Sequence, residues 1–98
     1  MLRVWKEFIQ PDSIKDGWFP IRISTKPGAV PISVGKQGKQ ICVWFQVDDS
    51  KDGVKDMVIY CVGTGFGQVP KKQSEGSQRV FLGTVVDDPY VWHFYGYV

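Results

Sequence analysis

Asparagine is absent from this 98-residue chain, histidine and alanine occur once each, and leucine twice. Each shortage excludes something. Without asparagine there is no N-glycosylation acceptor. One histidine, His93, is too few for a metal site built on clustered imidazoles. Leucine and alanine are favoured in helices, and their scarcity beside fourteen valines and seven isoleucines argues against an all-α bundle. Stiff β-branched side chains suit a pleated surface instead. No apolar run approaches the roughly twenty residues of a membrane helix, and the start lacks the basic, apolar, small-residue series of a signal peptide. A soluble, cytoplasmic protein with no membrane partner is expected. Cysteine is also sparse: Cys42 and Cys61 lie in separate apolar stretches and read as buried small hydrophobes in a reducing compartment.

What is present fits a small β protein. The length is room for one domain. Fourteen aromatics, eleven glycines and six prolines supply large core side chains and frequent turns. The formal net charge of +2, from twelve basic and ten acidic residues, permits an anionic ligand without demanding a nucleic-acid partner.

Residues 2–9 fit helical and strand periodicities, but shortness and bulk favour a strand. Pro11, Asp12, Ser13 and Gly17 mark a turn-rich connection, with room for one helical turn around Ile14. An extended segment over 19–24 ends at Thr25-Lys26-Pro27-Gly28, a turn sequence. Residues 32–37 and 40–48 flank Gly38-Lys39, the signature of a hairpin with a type II′ turn. In the second arm Ile41, Val43, Phe45 and Val47 share one face and Cys42, Trp44 and Gln46 the other. Apolar bulk on both faces predicts an internal strand, as it does for residues 57–62. Residues 79–86 and 90–95 form a closing pair around Asp87-Asp88-Pro89. The fold class is therefore all-β, a small antiparallel barrel or compact sandwich of six to seven short strands. Strands apolar on both faces need cover from a closed barrel, a second sheet or a neighbouring subunit.

Candidate chemistry is thin. Asp48, Ser50, Asp52 and Gly53 imitate the start of a calcium loop, but the twelfth position, which needs a bidentate Glu, is Ile59. His93 is the only plausible general base, yet it stands in an aromatic strand where a hydrogen-bonded structural role is commoner. No nucleophile elbow, phosphate-binding Walker loop or carboxylate pair appears, so the reading is non-enzymatic, with no catalytic residue, metal or cofactor assigned. The stretch most suggestive of binding is 63–79. Gly63, Thr64, Gly65, Phe66 and Gly67 let backbone N–H groups converge on an anion, and Lys71, Lys72 and Arg79 supply charge. Trp18, Phe66, Tyr95 and Tyr97 exceed the needs of so small a core and are candidates to stack on a nucleobase or anchor an interface.

Several pieces follow in order: Val4-Trp5-Lys6, Ile32-Ser33-Val34, Cys42-Val43-Trp44, Gly63-Thr64-Gly65, Gly83-Thr84-Val85 and Val91-Trp92-His93. Their arrangement over nearly the whole chain resembles a family of short bacteriophage and prophage proteins of unknown function. The departures are longer loops at 12–18 and 68–78 and the tail Gly96-Tyr97-Val98. The resemblance implies a phage accessory protein acting in the cytoplasm of a bacterial host, and carries over no catalytic residues. Such proteins often act by stoichiometric binding. The leading expectation is a homo-oligomer that counters host antiviral defence by sequestering a small nucleotide signal. An inhibitor docking on a host enzyme or defence complex is the alternative. Single-stranded nucleic-acid binding on a barrel surface is possible but not favoured at this charge.

Overall fold

The computed structural model describes residues 1–10, 18–65 and 77–97. The suggested helical turn around Ile14 lies outside them. Seven strands follow one another: β1 (Leu2–Ile9), β2 (Trp18–Thr25), β3 (Val30–Gln37), β4 (Gln40–Asp48), β5 (Lys55–Gly63), β6 (Arg79–Asp87) and β7 (Tyr90–Tyr97). All pairings are antiparallel, in a three-stranded sheet ordered β1-β4-β3 and a four-stranded sheet ordered β2-β5-β7-β6. The architecture is all-β, and of the two expected forms it is two packed sheets. Among the described residues no helix is long and apolar enough to cross a membrane.

The strands form where the Val and Ile content put them, and local details decide their ends. Gly38 has φ +63° while Lys39, like every described non-glycine residue, does not have positive φ, which is the type II′ pattern for the β3–β4 turn. β3 begins at Val30, earlier than expected, because its register slips between Pro31 and Ser33. A bulge there breaks the alternation that sequence reading relies on. β1 is a strand with eight consecutive partners on β4, from Leu2 opposite Asp48 to Ile9 opposite Ile41.

One continuous core joins the sheets. Ile41, Val43, Phe45 and Val47 of β4 face Ile23, Met57, Ile59 and Cys61 of β2 and β5, with Leu82, Val85, Trp92 and Phe94 from β6 and β7. Each large aliphatic or aromatic side chain removed from water in this way contributes roughly 1.5–3 kcal/mol. The internal placements of β4 and β5 follow from their two apolar faces. On the outer face of β4 the cover is only local: Cys42 is buried, Trp44 half-buried and Gln46 exposed.

The sheets come closest where β3 passes β6. The register of β6 shifts between Phe81 and Gly83, and Gly83 adopts φ +153°. A Cβ on Gly83 would stand 2.6 Å from the carbonyl oxygen of Val34. Only glycine permits both the dihedral and the approach. Cys42 and Cys61 are free and buried, on the outer side of one sheet and in the core respectively. Burial raises both thiols, Cys61 to about 12.

Candidate functional site

Because Ile59, Cys61 and Phe94 point into the core, alternation turns Tyr60, Val62, His93 and Tyr95 to the outer face of the four-stranded sheet. The register then builds two rows across β5, β7 and β6. Tyr60, Tyr95 and Phe81 form one; Val62, His93 and Thr84 form the other. Sequence alternation shows the parity within each strand, but these rows depend on pairings between segments far apart in the chain.

The first row is aromatic. Phe81 and Tyr95 have ring centroids 5.4 Å apart with planes tilted by 60°. The guanidinium carbon of Arg79 lies 5.7 Å from the Tyr95 ring centroid, within cation–π range. Tyr97 meets Tyr60 edge-to-face at 5.3 Å. Phe81 is 54% exposed, an unusual position for a phenylalanine in the middle of a strand. Tyr95 is half-buried, and Tyr60 is buried although it belongs to the outer face.

The second row is polar and draws together the motifs that were separate in sequence. His93 Nε2 lies 2.6 Å from Thr64 Oγ1, and His93 Nδ1 lies 3.0 Å from Thr84 Oγ1. A neutral imidazole has one donor and one acceptor nitrogen, so one threonine hydroxyl accepts and the other donates in either tautomer. Both nitrogens are thereby engaged, and the ring is fixed between the end of β5 and the middle of β6. The Thr64 N–H also donates to the Val91 carbonyl at 3.0 Å, and Gly65 takes φ +80° immediately after it. This arrangement fits a histidine that locks three strands together.

The residues proposed for binding from the sequence do not all gather in one place. Gly63 pairs opposite Trp92 and Arg79 opposite Tyr97, five residues apart on β7 and therefore separated by about 17 Å. Gly63, Thr64 and Gly65 lie at the His93 end, with the backbone of Trp18 beside them opposite Val62. Arg79 and Tyr95 lie towards the other end. Phe66, Gly67, Lys71 and Lys72 are outside the described residues.

Among the described residues, two of the surface clefts are of note, and neither is lined by Gly63, Thr64 or Gly65. One, of about 440 Å³, lies by Phe8, Lys39, Gln40 and Asp87. The other, of about 300 Å³, is lined by Lys26, Gly28, Lys55, Asp56 and Tyr97. Tyr97 links this second cleft to the Arg79 end of the aromatic face. The Lys26 ammonium donates to the Lys51 carbonyl at 2.8 Å, which holds the β2–β3 turn beside the cleft. The participation of Phe81, Lys26 and Lys55 was not foreseen from sequence. For Phe81, its shared parity with Arg79 on β6 was the one available signal.

The calcium-like segment is a turn. Asp48 Oδ1 accepts the Ser50 hydroxyl at 2.6 Å and the Ser50 N–H at 3.1 Å, and faces the Met1 amine at 3.3 Å. These donors, with the Ser50 hydroxyl foremost, lower the Asp48 carboxyl to about 2. Ile59, at the position where a calcium ligand would be needed, is wholly buried in β5. Among the described residues, no group of three or more His, Cys, Asp or Glu is placed to hold a metal ion.

No curated protein and no solved structure matches the chain. A family model does: a domain of unknown function (DUF7352) matches residues 1–98, and the protein belongs to that family.

Proposed function

We propose that this is a bacteriophage accessory protein that acts without catalysis in the host cytoplasm, countering antiviral defence by binding a small nucleotide signal. The carrying observation is the Arg79–Tyr95–Phe81 arrangement on the outer sheet face, next to the cleft lined by Lys26 and Lys55. Exposed aromatic rings offer a stacking surface that every nucleobase can use. Arginine and lysine at one end supply the complementary charge for phosphate. In this reading Phe81 and Tyr95 hold the base, and Arg79, Lys26 and Lys55 face the phosphates. Gly63-Thr64-Gly65 at the His93 end is then a strand terminus fixed by Thr64 rather than the phosphate cradle. The ordered motifs that resemble phage proteins support the phage assignment.

Calorimetric titration of the purified protein with cyclic dinucleotides, cyclic trinucleotides and cyclic ADP-ribose species tests this reading. At least one should release heat with saturable stoichiometry. Loss of one stacking contact, worth roughly 1–3 kcal/mol, should weaken its binding by about tenfold or more in Phe81→Ala. Arg79→Ala should weaken phosphate-bearing ligands and leave nucleosides unaffected. Absence of heat from all three classes removes the nucleotide reading.

A further inference from the structure

The β1 strand is a second surface without an assigned role, and it lies on the other sheet. It pairs with β4 on one side only. Asp49 N–H donates to the Met1 carbonyl, so the odd-numbered residues direct their backbone groups towards β4. The N–H and C=O groups of Leu2, Val4, Lys6 and Phe8 consequently point outward along an edge that no other strand covers among the described residues. Leu2 is 63% exposed, Val4 62% and Phe8 48%, with Trp5 exposed on the inner side.

Protein edges of this kind are normally guarded by proline, a bulge, a short strand or charged side chains, and on β1 the inward-facing charges are Arg3 and Glu7, opposite Val47 and Val43. β1 has none of the first three: eight residues, no proline, and uninterrupted register with β4. Its one lysine on the outward-bonding set is turned back over the sheet. Lys6 Nζ donates to Gln37 Oε1 on β3 and sits 4.8 Å from the centroid of the Phe8 ring.

We propose that β1 is the homodimer interface and that its occupant is β1 of a second copy, joined antiparallel to make one six-stranded sheet. The argument is self-complementarity of charge. A two-fold axis perpendicular to the sheet keeps inner faces together, so facing residue numbers must add to an even total. Centring the axis on Trp5 places Arg3 opposite the partner's Glu7, and Glu7 opposite the partner's Arg3. Leu2 then meets the partner's Phe8, Val4 packs on the aliphatic stem of the partner's Lys6, and the two Trp5 rings meet at the axis. Moving the centre to Lys6 sets two ammonium groups against each other and leaves Glu7 facing tryptophan. Moving it to Val4 leaves Arg3 facing Trp5 and forfeits the paired charges. Glu7 has no ion-pair partner within its own chain among the described residues. Arg3 is held in place by Asp49, which fixes the guanidinium over the strand end.

In the Trp5-centred register the outward groups of Leu2, Val4, Lys6 and Phe8 face one another and exchange about eight hydrogen bonds. Trp5 falls at a non-hydrogen-bonded pair, where Cα atoms approach to about 4.5 Å. The interface leaves the outer face of the four-stranded sheet open on both copies, so it stands or falls independently of nucleotide binding.

Sedimentation equilibrium of the full chain tests the assignment, with a dimer near 22 kDa expected. Val4→Pro removes an outward donor without touching the bonds to β4 and should yield a folded monomer. Glu7→Arg sets like charges across the axis and should raise the dissociation constant at least tenfold, with far-UV circular dichroism reporting the retained fold. Trp5→Cys should form an intermolecular disulfide under mild oxidation far faster than Val4→Cys, because only position 5 faces itself. Cys42 and Cys61 are buried and should not interfere. A monomer at 100 µM, on the order of the weakest dimer such an interface would form, overturns the proposal. So does a dimer indifferent to both Val4→Pro and Glu7→Arg, or a β1 edge occupied by a different polypeptide.

Discussion

Substituting Gly83 by alanine tests the closest contact between the two sheets. The new methyl carbon would lie 2.6 Å from the Val34 carbonyl oxygen, well inside the roughly 3.4 Å at which ordinary contact begins. The obstacle is backbone in a strand, so it cannot rotate aside as a side-chain end would. Separating β3 from β6 by most of an ångström would loosen Val34, Leu82 and Val85 in the core. Overpacking of this type costs about 1–3 kcal/mol. The positive φ adds about 1–2 kcal/mol for a residue with a Cβ. The total, about 2–5 kcal/mol, is a large share of the ~5–15 kcal/mol that holds a domain of this size together. At roughly 4–8 °C per kcal/mol the melting temperature should fall by about 8–40 °C. Gly38→Ala is the matched control: its φ is +63°, but a Cβ there meets nothing within 4 Å. It should lose only the conformational part. Thermal unfolding followed by circular dichroism gives both numbers. Equal losses for the two variants would refute the steric argument, because they would mean that the contact with Val34 contributes nothing.

Acid unfolding should carry the signature of Asp48. Its folded value of about 2 lies below the ordinary ~3.9 of an unfolded aspartate, so its contribution is complete above about pH 4 and is lost as pH falls towards 2. The pH dependence of the melting midpoint should be shallower over that window in Asp48→Asn, and an unchanged profile would count against the Ser50 and Met1 contacts as its cause. Both thiols should resist a thiol reagent at pH 8 in the folded protein and react together in concentrated guanidinium, given their burial and the elevation of Cys61 to about 12. Fast modification of either in native buffer would contradict the placement of that cysteine.

Much of the fold is written locally. The β-branched content, the Gly38-Lys39 turn and the doubly apolar β4 and β5 are features a short window contains, and each corresponds to what the structure has. The start of β3 is hidden because the bulge near Ile32 exchanges inward and outward positions. Pairing is harder still. β1 lies on β4 and β2 on β5, and no local pattern states either choice. The site inherits that difficulty. Thr64, Thr84 and His93 are conspicuous in their motifs, but their convergence depends on the register of β5 and β6 against β7. Likewise Tyr95 stands out as a surplus aromatic, whereas its alignment with Tyr60 and Phe81 is a consequence of tertiary pairing. Gly63 and Arg79 stand only sixteen positions apart in sequence, while the strand register sends them towards opposite ends of one sheet.

The strand order also bears on how the chain reaches this state. Among the described strands, β3–β4 and β6–β7 are hairpins between consecutive strands, whereas β1 must find β4, and β2 must find β5, across roughly thirty intervening residues. Closing such loops is an entropic cost met before the long-range contacts offset it, which places sandwiches among the slower two-state folders. During synthesis β1 emerges before its β4 partner exists. Its apolar edge therefore spends the longest time without a partner of the described strands, and destabilising β4 should show first as aggregation of the nascent protein rather than as loss of a folded one.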